Sequence, residues 1–380
     1  MLRYLTAGES HGKALMAIVD GFPAGLTVDT DAINDDLRLR QGGYGRGGRQ
    51  KLETDQVDIM AGTWQGITLG SPVGLQVINS DYKLERLKEL ERPRPGHADL
   101  AGAVKYMGSV RGVLERASAR ETAVRVAVGS LAKQLLGAFG IQCVGYVTEL
   151  GKLKTNAASD ATVDQIVAAR GQSIVYMPTT ELDEEAKQYI DEIADARDTL
   201  GGVMEVKVTG LPIGLGTHAQ WDRKLDGRLA QAVMAVQAIK GVEIGLGFEC
   251  ARRPGSEVHD PIRFDASQSQ WPSLGYVRPT NNAGGLEGGM TNGQPLIVRA
   301  GKKPISTLRK GLESINLDTK EPQAANYERS DVCAVPAAAI ILEAVVAFEL
   351  ACALLEKLGG DSVLEMKQRW DLLLQQGAQR

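Results

Sequence analysis

The sequence predicts an α+β fold in which helices cover sheets. Three observations carry this expectation. Helical and strand periodicities alternate along the chain, one turn sequence occurs twice about half the chain apart, and one long stretch near the C-terminal end is apolar almost throughout. With 380 residues, 43% of them hydrophobic, the chain is long enough to bury a substantial core, as one large domain or two.

The first turn is Val19-Asp20-Gly21-Phe22-Pro23-Ala24-Gly25-Leu26, preceded by an alternating apolar strand and followed by a helix over 31–40. Leu114, Ala117, Val124, Ala127, Leu131 and Leu135 recur at helical spacing and predict a single helix over 114–139, with the next strand over 141–150. Residues 157–198 are polar and charged, which predicts surface helices. A strand over 203–208 then leads into Val208-Thr209-Gly210-Leu211-Pro212-Ile213-Gly214-Leu215, which repeats the valine, both glycines, the proline and the leucine of the first turn at one offset. A helix over 222–240 follows, and then a strand over 242–248. The repeat predicts one unit built from two related halves, approximately 1–200 and 201–380. Residues 334–355 have the length of a membrane span. Glu343 and Glu349 interrupt the stretch, at about 3 kcal/mol each in lipid if glutamate behaves like aspartate, so a buried core helix is expected. Residues 362–380 read as a solvated helix.

A net charge of −4 and a pI near 5.8 argue against a general nucleic-acid or anionic-membrane surface. Cys143, Cys250, Cys333 and Cys352 lie far apart, without Cys-x-x-Cys spacing, and nothing ahead of Gly8 resembles a secretory segment. A reduced cytosolic protein with no metal site is the expectation.

Two of the four histidines sit in short runs of turn-forming and polar residues, Gly8-Glu9-Ser10-His11-Gly12 and Arg92-Pro93-Arg94-Pro95-Gly96-His97-Ala98-Asp99. Glycine and proline force tight turns there, so each imidazole is expected to project from a loop among groups that can tune it. His218 and His259 have no such setting. Against the acidic background, Arg38, Arg40, Arg46, Arg49 and Lys51 are threaded by five glycines between 42 and 48. Gly43, Gly45 and Gly48 match dinucleotide-fingerprint spacing, but a helix precedes them and polar residues follow, the wrong context for that motif. The segment reads instead as a flexible basic loop, disordered without ligand, whose arginines can close over a phosphate or carboxylate. Arg116, Arg120 and Arg125 are either a second phosphate seat or a solvated face. Residues 281–290 offer backbone amides, and Lys303-Pro304-Ile305-Ser306-Thr307 adds a cation and two hydroxyls. So many anion-binding segments imply two phosphorylated ligands.

Four motifs, Gly8-Glu9-Ser10-His11-Gly12, Arg94-Pro95-Gly96-His97-Ala98-Asp99, Ser118-Ala119-Arg120-Glu121-Thr122 and Arg329-Ser330-Asp331, together resemble the chorismate synthase family, in its order and spacing. The resemblance runs from Arg3 to about Leu355. It implies a β-α-β sandwich with internal pseudo-two-fold symmetry, assembled as a homotetramer. It also implies a lyase of the shikimate pathway, the last common step toward aromatic amino acids. In that step phosphate leaves 5-enolpyruvylshikimate 3-phosphate by a 1,4-anti elimination to give chorismate, with reduced FMN required and no net redox change.

Carried onto matching positions, the resemblance makes His11 the acid that protonates the departing phosphate. His97 protonates the flavin near its N1/C2 carbonyl edge, and Asp331 assists proton transfer at flavin N5. Such steps are worth roughly 10²- to 10⁴-fold each. Ser10, Arg40, Arg46, Arg49, Arg94 and Arg120 would hold the substrate's phosphate and carboxylates. Arg116, Ala117, Ser118, Gln237, Ala238, Gly288, Lys303, Pro304, Ile305, Ser306, Thr307 and Arg329 would contact FMN. Without long insertions the chain resembles compact members that take reduced flavin from an external reductase, NADPH entering only indirectly, although Arg40 and Arg46 can also be described as NADPH contacts. Two rival readings are an RNA-binding arginine-glycine segment, which would show strongly salt-dependent RNA affinity, and a flavin reductase, which would consume NADPH without forming chorismate.

Overall fold

The computed structural model describes residues 1–47, 54–328 and 330–379. Its first sheet is antiparallel and holds β1 (Arg3–Ala7), β2 (Ala14–Asp20), β3 (Val57–Ala61) and β4 (Val73–Ile78) in the order β1-β2-β4-β3. Alternation gives it one dry face: Leu15, Ala17 and Val19 of β2 are buried while Met16 and Ile18 face outward. Between β2 and β3, α1 (Thr30–Gln41) starts where the Asp29 carboxylate accepts a hydrogen bond from the Ala32 amide at 3.0 Å.

The helix expected over 114–139 is broken. After α2 (Asp99–Tyr106), α3 (Val110–Ala117) stops at Ser118, a 3-10 turn spans Ala119–Glu121, and α4 (Thr122–Gly137) continues. Ser118 is extended, with φ −61° and ψ 140°, and its hydroxyl accepts from the Arg120 amide at 3.3 Å. Buried apolar residues continue on both sides of this break, from Leu114 to Val124 and Leu135, so periodicity alone does not reveal it.

The second sheet, also antiparallel, contains β5 (Gln142–Leu150), β6 (Leu153–Lys154), β7 (Gly202–Thr209), β8 (Ile239–Ile244) and β9 (Leu296–Lys302) in the order β8-β9-β7-β5-β6. Helices α5 (Val163–Gln172) and α6 (Asp183–Asp195) occupy the expected polar stretch, and α7 (Leu225–Met234) precedes β8. The helix expected over 222–240 therefore ends early. The chain reverses through Gln237 and Ala238, whose φ is +68°, and the strand begins at Ile239 instead of residue 242. Phe248 falls in a 3-10 turn, Gly247–Arg252.

The apolar stretch is α8 (Val335–Leu358), and 89% of its most hydrophobic window is buried. It packs on β5 and β7 of one sheet while α4 packs on β2 and β4 of the other, and the two helices pack against each other. The result is a helical layer between two sheets, an α+β sandwich. At the crossing, a Cβ on Gly129 would lie 2.3 Å from the Ala344 Cβ, so only glycine lets the helices approach this closely. The same crossing buries a charge cluster. Glu343 of α8 pairs with Lys133 and, at 2.5 Å, with Arg170, and accepts from the Gly145 amide at 2.8 Å. Helix α9 (Val363–Gly377) is not merely solvated, since Met366 is buried and Trp370 packs on Phe139 with ring centroids 5.5 Å apart.

The turn repeated in sequence is repeated in backbone. Gly21 and Gly25 have φ +79° and +87°, and Gly210 and Gly214 have +80° and +91°. Thr68 donates to the Pro23 carbonyl at 2.7 Å and accepts from the Leu26 amide at 2.9 Å, while Thr291 does the same with Pro212 and Leu215 at 2.6 and 2.8 Å.

Candidate active site

Loops from both sheets meet the helical layer around a cavity of about 860 Å³. His11 reaches it from the tip of the β1–β2 loop. Its Nδ1 lies 3.0 Å from both Glu115 oxygens, and its amide donates to Glu115 Oε2 at 2.8 Å. Its Nε2 is 3.8 Å from Asp81 Oδ2. Burial opposes charge on Glu115, but the hydrogen bonds and charge of His11, with Arg111, outweigh it and hold the carboxyl below its ordinary range. Glu115 is thus an ionised carboxylate that fixes both the loop and the imidazole.

His97 follows the Pro95-Gly96 turn, and its Nδ1 is 2.5 Å from Asp99 Oδ1. Arg94 clamps the same carboxylate through Nε at 2.8 Å and Nη2 at 2.9 Å, and donates Nη1 to Thr307 Oγ1 at 2.9 Å. Against the cost of burial, these donors from His97 and Arg94 hold Asp99 well below the usual carboxylate range. Each histidine therefore faces the cavity with a buried carboxylate at its back.

Arg40 and Arg120 share Asp55. Arg40 Nη1 lies 3.3 Å and Arg120 Nη1 2.7 Å from that carboxylate, whose side chain is fully buried. Arg40 also donates to Thr122 Oγ1 and to the Ala119 carbonyl, both at 3.0 Å, and Arg120 to Asn79 Oδ1 at 2.9 Å. Burial, with Arg120 and Arg46 nearby, lowers Arg40 to about 9, which leaves it charged at neutral pH.

The basic loop departs from expectation in its described part. Residues 42–47 are tied down: Tyr44 N donates to Ile174 O at 2.7 Å, and Val332 N and Cys333 N donate to Gly45 O at 2.9 and 3.1 Å. Arg46 pairs with Asp331 Oδ2 at 2.7 Å, and the Gly47 amide donates to Asp331 Oδ1 at 2.6 Å. Asp331 thus latches the loop to the start of α8. Arg49, Lys51 and Arg329 lie outside the described residues.

Of the expected flavin contacts, Ala117, Ser118, Gln237, Ala238, Lys303, Ile305, Ser306 and Thr307 line the cavity. Ser118 also hydrogen-bonds Ser10 at 3.2 Å, and the Lys303 ammonium donates to the Gly96 carbonyl. Three do not join them. Arg116 points away, donating to the Gly8 and Thr6 carbonyls at 2.9 and 3.0 Å, because the helical register that turns Glu115 inward turns its neighbour out. Gly288 lies in the hairpin that pairs Leu286–Glu287 with Met290–Thr291, away from the cavity lining. Pro304 packs its ring against Gly201. His218 and His259 stay outside the lining. Sequence reasoning missed Glu115, Asp55, Asn79, Lys83, Arg111 and Lys302, none of which stands in a local motif that singles it out.

The comparisons with known proteins agree in identity and extent. A family model described as chorismate synthase matches residues 2–355. A chorismate synthase of Geobacter metallireducens is 55% identical over 98% of each chain, and one of Enterococcus faecalis is 50% identical over 97% of each. A solved structure, "Crystal Structure of Chorismate Synthase", superposes with a TM-score of 0.82 at 43% identity, covering 100% of this chain and 99% of its own. On this evidence of fold, site and sequence the chain belongs to the chorismate synthase family.

Proposed function

We propose that the protein converts 5-enolpyruvylshikimate 3-phosphate to chorismate and phosphate, a carbon–oxygen lyase that uses reduced FMN with no net redox change. The observation that carries this reading is one arginine-rimmed cavity holding two histidines, each backed by a buried ionised carboxylate. The substrate carries one phosphate and two carboxylates, and Ser10, Arg40, Arg46, Arg94 and Arg120 are the groups to bind them.

The cavity also fits a flavin. Its volume lies within the range for cofactor sites, Leu114, Val236, Ala334, Ala337 and Ile341 give it apolar walls, and Gln237 Oε1 is a buried acceptor with no donor among the described residues, suited to a ring N–H. Ala117, Ser118, Gln237, Ala238 and Lys303 to Thr307 would hold it. When bound, reduced flavin would supply electron density for phosphate departure and an acceptor for the proton. The chain's part is positioning and proton delivery. His11, its Nδ1 held by Glu115, delivers a proton from Nε2 to the leaving phosphate, and His97, held by Asp99, places one beside the flavin's carbonyl edge. Asp331, which holds Arg46 and the Gly47 amide and keeps lone pairs free, would assist at N5, so substrate binding to Arg46 and the charge at Asp331 are linked.

The exposed outer face of the first sheet, with Leu5, Met16, Ile18, Met60 and Ile78, supports assembly into a homotetramer of two-halved protomers. The proposed setting is cytoplasmic, with reduced flavin supplied by a separate reductase. An anaerobic assay of chorismate and phosphate release with photoreduced FMN tests the activity, and no product from folded, FMN-binding protein would refute it. Oxidised FMN plus NADPH is expected to give no chorismate, whereas product there would show an intrinsic reductase.

Two variants probe the roles. Arg46→Ala is expected to weaken substrate binding more than FMN binding, about tenfold or more for loss of a charged hydrogen bond, as read by titration with each ligand. Glu115→Gln keeps a hydrogen-bonding side chain at His11 but removes its charge. The expected loss of about 1.5–3 kcal/mol lowers kcat roughly ten- to a hundredfold, as read from steady-state rates with reduced FMN.

A further inference from the structure

Most cations of the cavity lining have protein partners. Arg40 and Arg120 meet Asp55, Arg46 meets Asp331, Arg94 meets Asp99, Arg111 meets Glu115, Lys83 meets Asp81 and Lys303 meets the Gly96 carbonyl. Lys302 differs. It ends β9, lines the cavity and is only 9% exposed, yet among the described residues its ammonium has neither an ion pair nor a hydrogen bond. Its charged neighbours cannot serve as partners. The Asp331 carboxylate is engaged by Arg46 and the Gly47 amide, and burial pushes the Cys333 thiol up to about 11, so it stays neutral. The Lys302 stem is buried while its ammonium opens on the cavity with no protein group bonded to it, so an arriving anion can pair with it without displacing a partner.

We propose that Lys302 is an anion receptor of this cavity, pairing its ammonium with an anionic oxygen of the bound ligand. The charge of the ligand follows from the site itself, while its identity as flavin or phosphorylated substrate rests on the chorismate synthase reading. Burial, reinforced by Arg46 and Lys303, lowers Lys302 to about 8. An anion beside it raises that value, so binding at pH 8.5 takes up a proton.

The test compares wild type with Lys302→Met and Lys302→Gln by calorimetric titration of FMN, 5-enolpyruvylshikimate 3-phosphate and inorganic phosphate. Titrations at pH 8.5 in two buffers of different ionisation enthalpy read the proton. At least one anion is expected to bind tenfold or more weakly to both variants and without proton uptake, while the unliganded variants melt no lower than wild type. A loss confined to FMN places the receptor on the flavin, and one confined to the phosphorylated substrate places it there. Unchanged affinity for all three anions overturns the proposal, as does a lowered melting temperature in both variants, which would make Lys302 a structural residue. If wild type takes phosphate but neither FMN nor substrate, the chorismate synthase reading falls and the phosphate titration still decides on Lys302.

Discussion

Replacing His97 with alanine should lower kcat by roughly 10²- to 10⁴-fold, the range for loss of a general acid, with little change in thermal stability. The two halves of this expectation have separate causes. The imidazole borders the cavity, so its removal deletes a proton donor at the site of chemistry. Asp99, the carboxylate left behind, keeps both Arg94 hydrogen bonds at 2.8 and 2.9 Å and is not stranded as an unpaired buried charge. Steady-state rates with reduced FMN beside a melting curve separate the effects. A rate within tenfold of wild type would remove His97 from the mechanism.

Glu343→Ala should destabilise the protein by about 3–5 kcal/mol, the cost of removing one partner from a buried ion pair. Lys133 retains Asp36 at 2.9 Å, but Arg170 loses its carboxylate inside the helical layer. Burial alone would raise the Glu343 carboxyl, and Lys133 and Arg170 more than offset it, so the folded value lies below the ordinary 4.5. The sign follows: this stability is complete above the unfolded value and is lost as pH falls through the lower folded value. Urea unfolding at pH 7 and at pH 3 measures both, and a gap between wild type and variant that widens on acidification would contradict the assignment.

The layers of this fold were legible where one periodicity ran unopposed. Helix α1, strands β5 and β7, and α8 lie within a few residues of expectation because their patterns match a single template. The break at Ser118 and the reversal at Ala238 were not, because apolar spacing continues across both while a side-chain cap or a left-handed residue ends the helix. The same division holds at the site. Glycine and proline advertised the His11 and His97 loops locally, but Glu115 and Asp55 acquire their roles from partners 104 and 65 residues away, a relation that no local pattern encodes. Arg116 shows the finest limit, since one step along a helix separates a residue holding His11 from one facing solvent.

The position of α8 bears on how the chain reaches its native state during synthesis. The second sheet needs this helix to cover β5 and β7, yet the helix follows every strand of that sheet in the chain. The strands made earlier must wait with their apolar faces open, and a nascent chain halted before Val335 exposes surface that invites aggregation. The helix itself, before it docks, presents a stretch as hydrophobic as a membrane anchor. Protection of these apolar faces is therefore a demand that this architecture makes until α8 docks on β5 and β7.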